Sequence, residues 1–199
     1  MTIWESNISG DVNVLKKRMR ARMSAIRQML GEDGRAGIDA KIAEKTCAHE
    51  AFQQADYVFT YLSVGTEIDT RKIIRNAWAA GKVVAVPRCV PHTNKMDWYR
   101  IDDFEGLEKG SFGIEEPPAN PDMLVEVPGP DSGVAAVAIV PGFSFDPQNF
   151  RLGYGGGFYD VFLPQFGGPS IGLCRIAQLS AEPLPHDDHD IPVDYVITE

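Results

Sequence analysis

The chain has 199 residues, of which 44% are hydrophobic and 24% are charged, and its formal net charge is −9. These values are typical of a globular protein and predict one domain spanning residues 1–199, while the negative charge argues against nucleic-acid binding. No apolar run is long enough to cross a membrane, and the first residues do not resemble a signal peptide, so we expect no membrane partner. Three widely separated cysteines without a Cys-x-x-Cys favour a reducing cytoplasm over a disulfide scaffold.

The first part of the chain alternates between helix and strand patterns. Apolar residues recur at helical spacing over residues 12–30 and again over about 38–53. Residues 57–62 and 82–86 read as strands, and a helix between them ends at Gly81. This β-α-β order predicts a parallel pair of strands with a crossover helix.

The first helix carries a local excess of positive charge in an otherwise acidic chain. Lys16 and Arg20 are four residues apart and therefore share a face. Such a face is usually solvated, but these two cations are also spaced to reach phosphates, and both interpretations stay open at this point.

The second part of the chain supplies further strands, at residues 96–101, 134–140, 169–174 and 193–197. A proline-rich stretch between the first two reads as a surface loop. The predicted fold is a single α/β domain with a mostly parallel, Rossmann-like sheet and flanking helices. Its ligand site is expected at the carboxyl ends of the strands.

A glycine-rich loop follows the apolar strand at residues 134–140. Glycines stand at positions 153, 155, 156 and 157, between Arg151 and Asp160. Glycine backbone and a helix start favour an anion, an arginine adds a planar fork for phosphate, and an aspartate offers an oxygen ligand for the magnesium of a nucleoside triphosphate. The loop is neither a Walker A motif nor a dinucleotide fingerprint, and a purely structural turn is an equally good interpretation on local chemistry.

These residues carry a resemblance to a known family. Pro141-Gly-x-x-Phe-Asp followed by Arg151-Leu-Gly-Tyr-Gly-Gly-Gly-x-Tyr-Asp160 resembles the signature of the 5-formyltetrahydrofolate cyclo-ligases, also called methenyltetrahydrofolate synthetases. Lys16-x-x-x-Arg20, Glu67-Ile-Asp-Thr70 and the segment from His189 to Val196 match further family motifs, so the resemblance covers nearly the whole chain. It departs at Asn149, where the family usually has glycine, and at Phe158, where a tyrosine is common. Asparagine tolerates the left-handed conformation, so the turn at Asn149 is expected to persist.

The resemblance implies an enzyme that converts 5-formyltetrahydrofolate and ATP to 5,10-methenyltetrahydrofolate, ADP and phosphate. It implies ATP and Mg²⁺ as cofactors, and a folate substrate with or without a polyglutamate tail. The expected protein is a cytoplasmic monomer.

The resemblance also implies roles for individual residues. Arg151 and Tyr159 are the expected catalytic residues, and Asp160 and Asp190 are the expected magnesium ligands. The residues expected to bind ATP are Lys16, Lys17, Arg18, Met19, Arg20, Arg151, Leu152, Gly153, Tyr154, Gly155, Gly156, Gly157, Phe158 and Tyr159. The residues expected to bind the folate are Leu62, Glu67, Tyr154, Gly155, Gly156, Gly157 and Phe158. The carboxylate of Glu67 suits the adjacent N–H donors of a pterin.

The sequence is also compatible with other functions and sites. The first is a folate- or nucleotide-binding paralogue without activity, and the second is an ATP-dependent enzyme acting on another formylated amide. A zinc site at His186, His189 and Asp190 lacks any recognised ligand spacing, and Ser144 lacks a Gly-x-Ser-x-Gly context and a convincing histidine base. Trp98 and Phe112 are aromatic candidates for stacking on a heterocycle, although such residues are more often part of a core.

Overall fold

The structure is a computed structural model that describes residues 12–110 and 113–199. Its α-helices are α1 (Val12–Met29), α2 (Glu32–Ala48), α3 (Glu50–Gln54), α4 (Arg71–Ala79) and α5 (Phe158–Phe162). Its strands are β1 (Tyr57–Phe59), β2 (Val83–Cys89), β3 (Met96–Arg100), β4 (Glu108–Lys109), β5 (Glu115–Glu116), β6 (Leu124–Val125), β7 (Ala136–Val140), β8 (Ser144–Phe145), β9 (Arg151–Leu152), β10 (Ser170–Leu173) and β11 (Tyr195–Ile197). In these ranges no helix combines the length and apolar character that a membrane span requires.

Seven strands form the central sheet in the order β11-β10-β7-β1-β2-β3-β6. The strands from β11 to β2 run parallel to one another, and β3 and β6 are antiparallel additions at one edge. The predicted α/β fold with a mostly parallel sheet is therefore confirmed. Because the chain leaves β1 towards β2 and later returns on its other side as β7, the connections diverge between β1 and β7, where open α/β sheets bind ligands.

The two faces of the sheet bury different kinds of side chain. On one face, Val and Ile side chains of the strands pack against α2 and α4. On the other, β7 presents Ala136 and Ala138, and small residues leave room there for an aromatic layer that includes Phe59, Trp98 and Phe162. Trp98 is 1% exposed and its ring lies 4.7 Å from that of Phe162, so it is a core residue rather than a surface for a heterocycle. Phe112 lies outside the described residues.

Several predicted elements have different bounds in the structure, and two of these differences have an identifiable cause. The second helix was expected over about residues 38–53, but α2 begins at Glu32 and a new helix, α3, starts after His49. His49 is extended, and its Nδ1 accepts a hydrogen bond from the Ala51 N–H, so it ends one helix and caps the next. The first strand is shorter than predicted, because the chain after Phe59 turns into the loop that carries Glu67.

Asn149 adopts the left-handed conformation, as the sequence predicts, with φ of 64°. Its side-chain amide also donates to the Asp194 carbonyl at 3.1 Å. We expect Asn149→Ala to lower the free energy of unfolding by about 1–2 kcal/mol, because alanine strains this backbone and loses the hydrogen bond. Asn149→Gly is the matched control, expected to remain within about 1 kcal/mol of the wild type in urea unfolding. Equal losses in the two variants would show that backbone conformation is not the cause.

Candidate active site

A cavity of about 780 Å³ opens beyond the carboxyl ends of β1 and β7. One part of its wall is the glycine-rich loop, which continues from β9 into α5. The facing walls come from α1, from the loop after β1 and from the end of β2. The point where the connections of the sheet diverge therefore lies beside the glycine-rich loop that was predicted from the sequence.

The backbone of the glycine-rich loop faces this cavity. Among the described residues, no acceptor receives a hydrogen bond from the amides of Gly155, Gly156 or Gly157. Gly155 and Gly157 have φ of 101° and 69°, and a Cβ on Gly156 would lie 2.7 Å from the Phe158 ring. Side chains are thus excluded from the loop while its amides stay open to the cavity, which favours an anion cradle over a closed structural turn.

Arg151 and Asp160 form an ion pair in the wall of the cavity. Arg151 Nη2 donates to Asp160 Oδ1 at 2.6 Å, and Nη1 donates to the carbonyl of Ile191. Asp160 Oδ1 also accepts the Ile191 N–H at 3.1 Å. Burial lowers the pKa of Arg151, and the charges of Asp160 and Asp190 act against that shift. The arginine therefore fixes the start of α5 to the segment that carries Asp190.

Helix α1 brings two cations to the same end of the cavity. Lys16 Nζ lies 2.5 Å from Asp190 Oδ2, and Arg20 Nε donates to the Gly153 carbonyl at 2.7 Å. Partial burial raises the pKa of Asp190, but hydrogen bonds from Lys16 and the Asp187 N–H outweigh it and leave this pKa below its usual value. Asp187 also lines this end of the cavity, with Oδ2 3.8 Å from Lys16 Nζ. The described residues thus place three cations and three carboxylates at one end of the site, a suitable arrangement for a metal-bound phosphate chain.

Glu67 lies at the other end of the cavity. Its Oε2 accepts the Val64 N–H at 2.8 Å. Burial raises the pKa of Glu67 above its usual value, while the Tyr154 hydroxyl, the Val64 N–H and the charge of Arg27 act in the opposite direction. A carboxylate of this kind is available to a ligand with two adjacent donors.

A buried ion pair supports the loop that carries Glu67. The Arg175 guanidinium is fully buried and donates through Nε and Nη2 to Asp39, each at 2.8 Å. The same guanidinium donates to the carbonyls of Thr66 and Glu67, each at 3.1 Å. Asp39 in turn accepts the Asp69 N–H at 3.1 Å. No local sequence pattern predicts this network, because Arg175 and Asp39 are far apart in the chain.

Tyr159 lies between the two ends of the cavity. Its hydroxyl is buried and has no hydrogen-bond partner among the described residues. Burial raises the pKa of Tyr159, and the charge of Glu67 adds to that effect, so the phenol is neutral. A buried hydroxyl without a partner is costly, and in the wall of a cavity it is suited to a polar ligand atom.

Most of the predicted site residues line this cavity. They are Lys16, Arg20, Leu62, Glu67, Arg151, Leu152, Gly153, Tyr154, Gly155, Gly156, Gly157, Phe158, Tyr159, Asp160 and Asp190. Lys17, Arg18 and Met19 were expected to bind ATP but do not line the cavity, and Lys17 and Arg18 are exposed. Further lining residues not predicted from sequence include Tyr61, Cys89, Met96 and Glu116.

Arg27 was also missed, although the sequence contains a signal for it. It follows Lys16 and Arg20 at helical spacing and is 2% exposed. Positions 16, 20, 23 and 27 share one face of α1, so the cationic face predicted from Lys16 and Arg20 extends to the end of the helix.

The two alternative sites are not supported. No group of three or more His, Cys, Asp or Glu side chains in the described ranges is arranged to hold a metal ion, and His186 stacks on Phe150 with ring centres 3.9 Å apart. Ser144 is fully buried, and its hydroxyl donates to the Gln178 carbonyl at 2.6 Å. The arrangement of the described side chains therefore supports neither a zinc centre nor a serine nucleophile at these positions.

Comparisons with known proteins agree with the geometry. The sequence model of the 5-formyltetrahydrofolate cyclo-ligase family matches residues 12–199. The 5-formyltetrahydrofolate cyclo-ligase of Mus musculus is 29% identical over 94% of this chain and 95% of its own length, and that of Escherichia coli K12 is 28% identical over 93% and 96%.

Solved structures give the same result. The 5,10-methenyltetrahydrofolate synthetase of Aquifex aeolicus has a TM-score of 0.75 at 29% identity and covers 92% of this chain and 89% of its own. The synthetase of Mycoplasma pneumoniae shares the fold, with a TM-score of 0.69 at 19% identity over 95% of this chain and 99% of its own. The chain belongs to the 5-formyltetrahydrofolate cyclo-ligase family.

Proposed function

We propose that this chain catalyses the ATP-dependent cyclisation of 5-formyltetrahydrofolate to 5,10-methenyltetrahydrofolate, with release of ADP and phosphate. The observation that carries the proposal is one continuous cavity with a pterin-suited carboxylate, Glu67, at one end and the open amides of the glycine-rich loop, with Arg151, at the other. If the folate and ATP bind at the two ends of this one cavity, the folate carbonyl lies next to the terminal phosphate of ATP.

The reaction needs activation of a poor leaving group. The formyl oxygen attacks the γ-phosphorus, the bond between that phosphorus and the β,γ-bridging oxygen breaks, and ADP leaves. N10 then attacks the formyl carbon and loses its proton, and the carbon–oxygen bond breaks to release phosphate. The reaction involves no oxidation or reduction. Catalysis therefore depends mainly on positioning and on neutralising phosphoryl charge.

Each end of the cavity has a defined task in this mechanism. The amides of Gly155–Gly157, with Lys16 and Arg20, hold the phosphate chain, and Arg151 faces the charge that develops on the transferred phosphoryl group. Glu67 orients the pterin. The partnerless hydroxyl of Tyr159 lies between the two ends and is suited to bind the formyl group.

We propose that Asp160 and Asp190 hold Mg²⁺. Both line the cavity, and Asp160 Oδ1 accepts the N–H of Ile191, the residue after Asp190. Two carboxylates beside a phosphate site fit the usual magnesium environment, in which phosphate oxygens and waters complete the octahedron. When bound, the ion neutralises phosphate charge. Lys16 pairs with Asp190 and Arg151 pairs with Asp160, so a magnesium ion held by these carboxylates would release Lys16 to contact phosphate.

Removing one proposed magnesium ligand should change the metal requirement. We expect Asp190→Ala to raise the Mg²⁺ concentration for half-maximal activity by at least about tenfold, because one of two carboxylate ligands is lost. Asp188→Ala is the matched control, since Asp188 is exposed and does not line the cavity. A titration of initial rate against free Mg²⁺ measures the effect, and coincident curves for the wild type and Asp190→Ala would exclude Asp190 as a ligand.

The activity itself is tested by mixing the protein with 5-formyltetrahydrofolate and MgATP and following the absorbance of the methenyl product. Appearance of that product with ADP supports the proposal. Binding of both ligands without turnover would favour a non-catalytic paralogue, and ADP formation only with another formylated amide would favour a different substrate.

We further propose that the chain acts as a single-domain cytoplasmic monomer. Its folate substrate can carry a polyglutamate tail or lack one. The support is that one chain supplies every wall of the cavity. Sedimentation of the active protein at assay concentration tests the monomer.

A further inference from the structure

Arg27 is a buried cation close to the cavity. It lies in the last turn of α1 and is 2% exposed. None of the carboxylates in the described ranges forms an ion pair with it. Burying a guanidinium without a paired carboxylate is energetically costly, so a structural role alone explains its presence poorly.

The hydrogen bonds of Arg27 reach the glycine-rich loop and the turn that follows β7. Nη1 donates to the Tyr154 hydroxyl oxygen at 2.8 Å, and Nη2 donates to the Gly142 carbonyl. The guanidinium carbon lies 4.5 Å from the centre of the Phe143 ring, and that ring packs against Tyr154 with ring centres 4.4 Å apart. The tyrosine is therefore fixed through both its ring and its hydroxyl oxygen, and its hydroxyl proton remains available for another acceptor.

The candidate acceptor for this proton is Glu67. Tyr154 and Glu67 line the same cavity, and the Tyr154 hydroxyl and the Arg27 charge both act to lower the pKa of Glu67, which burial raises. On the cavity side, the other titratable groups that face Glu67 are the neutral phenols of Tyr61 and Tyr159. Behind the loop, the charged groups are Arg175 and Asp39, which pair with each other.

We propose that Arg27 and Tyr154 are positioning residues that keep Glu67 ionised and oriented towards the pterin. Arg27 donates to the Tyr154 hydroxyl, and that hydroxyl donates to the Glu67 carboxylate. The Val64 N–H donates to the same carboxylate at 2.8 Å, so two of its lone-pair sites remain for two donors of the ligand. The part of this proposal that concerns the pterin rests on the proposed function.

The first test needs no substrate. The side-chain carboxyl ¹³C signal of Glu67, assigned by its loss in Glu67→Gln, is followed with pH in the free protein. Tyr154→Phe removes only the hydroxyl, and Arg27→Met removes the charge while keeping an unbranched apolar side chain. Each is expected to move the Glu67 midpoint upward by about 0.5–1 pH unit, because each removes a group that favours the carboxylate. Tyr195→Phe and Arg22→Met are the matched controls, since both residues are exposed and lie outside the cavity.

The second test measures the consequence for catalysis. At neutral pH, Tyr154→Phe and Arg27→Met are expected to raise KM for 5-formyltetrahydrofolate about tenfold, the size of one lost hydrogen bond to a charged group. For Arg27→Met, KM for ATP should stay within about twofold of the wild type, because Arg27 does not reach the phosphate end. In both variants, the pH below which kcat/KM for folate declines should be higher than in the wild type. The double variant should be no worse than the poorer single variant, since both changes interrupt one chain of hydrogen bonds.

The outcomes separate this proposal from the proposed function. An unchanged Glu67 midpoint in Tyr154→Phe overturns it, even if Arg27→Met fails to fold. So does an additive double variant with the wild-type pH dependence of kcat/KM for folate. If the wild type forms no methenyl product but both variants move the midpoint, the proposed function is wrong while the positioning of Glu67 by Arg27 and Tyr154 is supported.

Discussion

Replacing Arg151 with alanine is expected to lower kcat by about three to five orders of magnitude, the range found when an arginine that stabilises a transferring phosphoryl group is lost. One guanidinium nitrogen donates a hydrogen bond to Asp160 and another donates to the Ile191 carbonyl, and the Arg151 side chain is only 5% exposed. The charge is thus held in place before substrate binds, and little reorganisation is needed during the reaction. Methenyl formation in a single turnover with saturating ligands measures the loss.

A control must separate lost chemistry from lost structure. Arg151→Ala leaves the Asp160 carboxylate without its cation, and breaking such a partly buried pair is expected to cost about 2–4 kcal/mol of stability. The double variant Arg151→Ala with Asp160→Asn removes the unpaired charge, so its thermal stability should recover in part while its activity does not. Arg151→Lys keeps a positive charge but not the planar fork, and an intermediate rate is expected. A near-normal kcat for Arg151→Ala would exclude Arg151 from the phosphoryl transfer.

The parts of the fold that the sequence predicted are those governed by local pattern. The strand β7 could be located because it is a continuous apolar run, and helix α1 could be located because its apolar residues recur with the helical period. The glycine-rich loop could be located because closely spaced glycines have few other uses. The break between α2 and α3 could not, because it depends on the conformation of the single residue His49.

The parts of the site that could not be predicted depend on contacts between distant residues. The sequence suggested that the Arg151 fork is directed at phosphate, but in the structure both ends of the fork are already bound to protein. Residue type alone does not distinguish a free guanidinium from one that organises its neighbours. The same holds for Arg27 and Arg175, whose functions depend on a tyrosine and an aspartate more than one hundred residues away.

Replacing Glu67 with glutamine is expected to raise KM for 5-formyltetrahydrofolate by about two orders of magnitude or more. The carboxylate would accept two charge-assisted hydrogen bonds from a pterin, whereas an amide would turn one acceptor into a donor that faces another donor. Each such contact contributes roughly 1.5–3 kcal/mol, and one lost contact plus one repulsive contact accounts for the expected change. KM for ATP should change little, because Glu67 lies at the other end of the cavity. An unchanged folate KM would show that Glu67 does not bind the pterin.

The same substitution should make the protein more stable at neutral pH. Since burial raises the pKa of Glu67 in the folded state, the folded state favours the protonated form. The stability that this group contributes is present below its unfolded-state pKa and is lost as pH rises through the raised value, so the ionised carboxylate destabilises the fold at pH 7.

Glutamine resembles the protonated form. The Tm of Glu67→Gln should therefore exceed that of the wild type at pH 7, and the two values should converge as pH falls towards 4. Glu44→Gln, on the exposed side of α2, should show no such pH-dependent difference. If Glu67→Gln were less stable at pH 7, the carboxylate would be part of the packing that holds its loop, and its loss of folate affinity would then need no direct contact with the pterin.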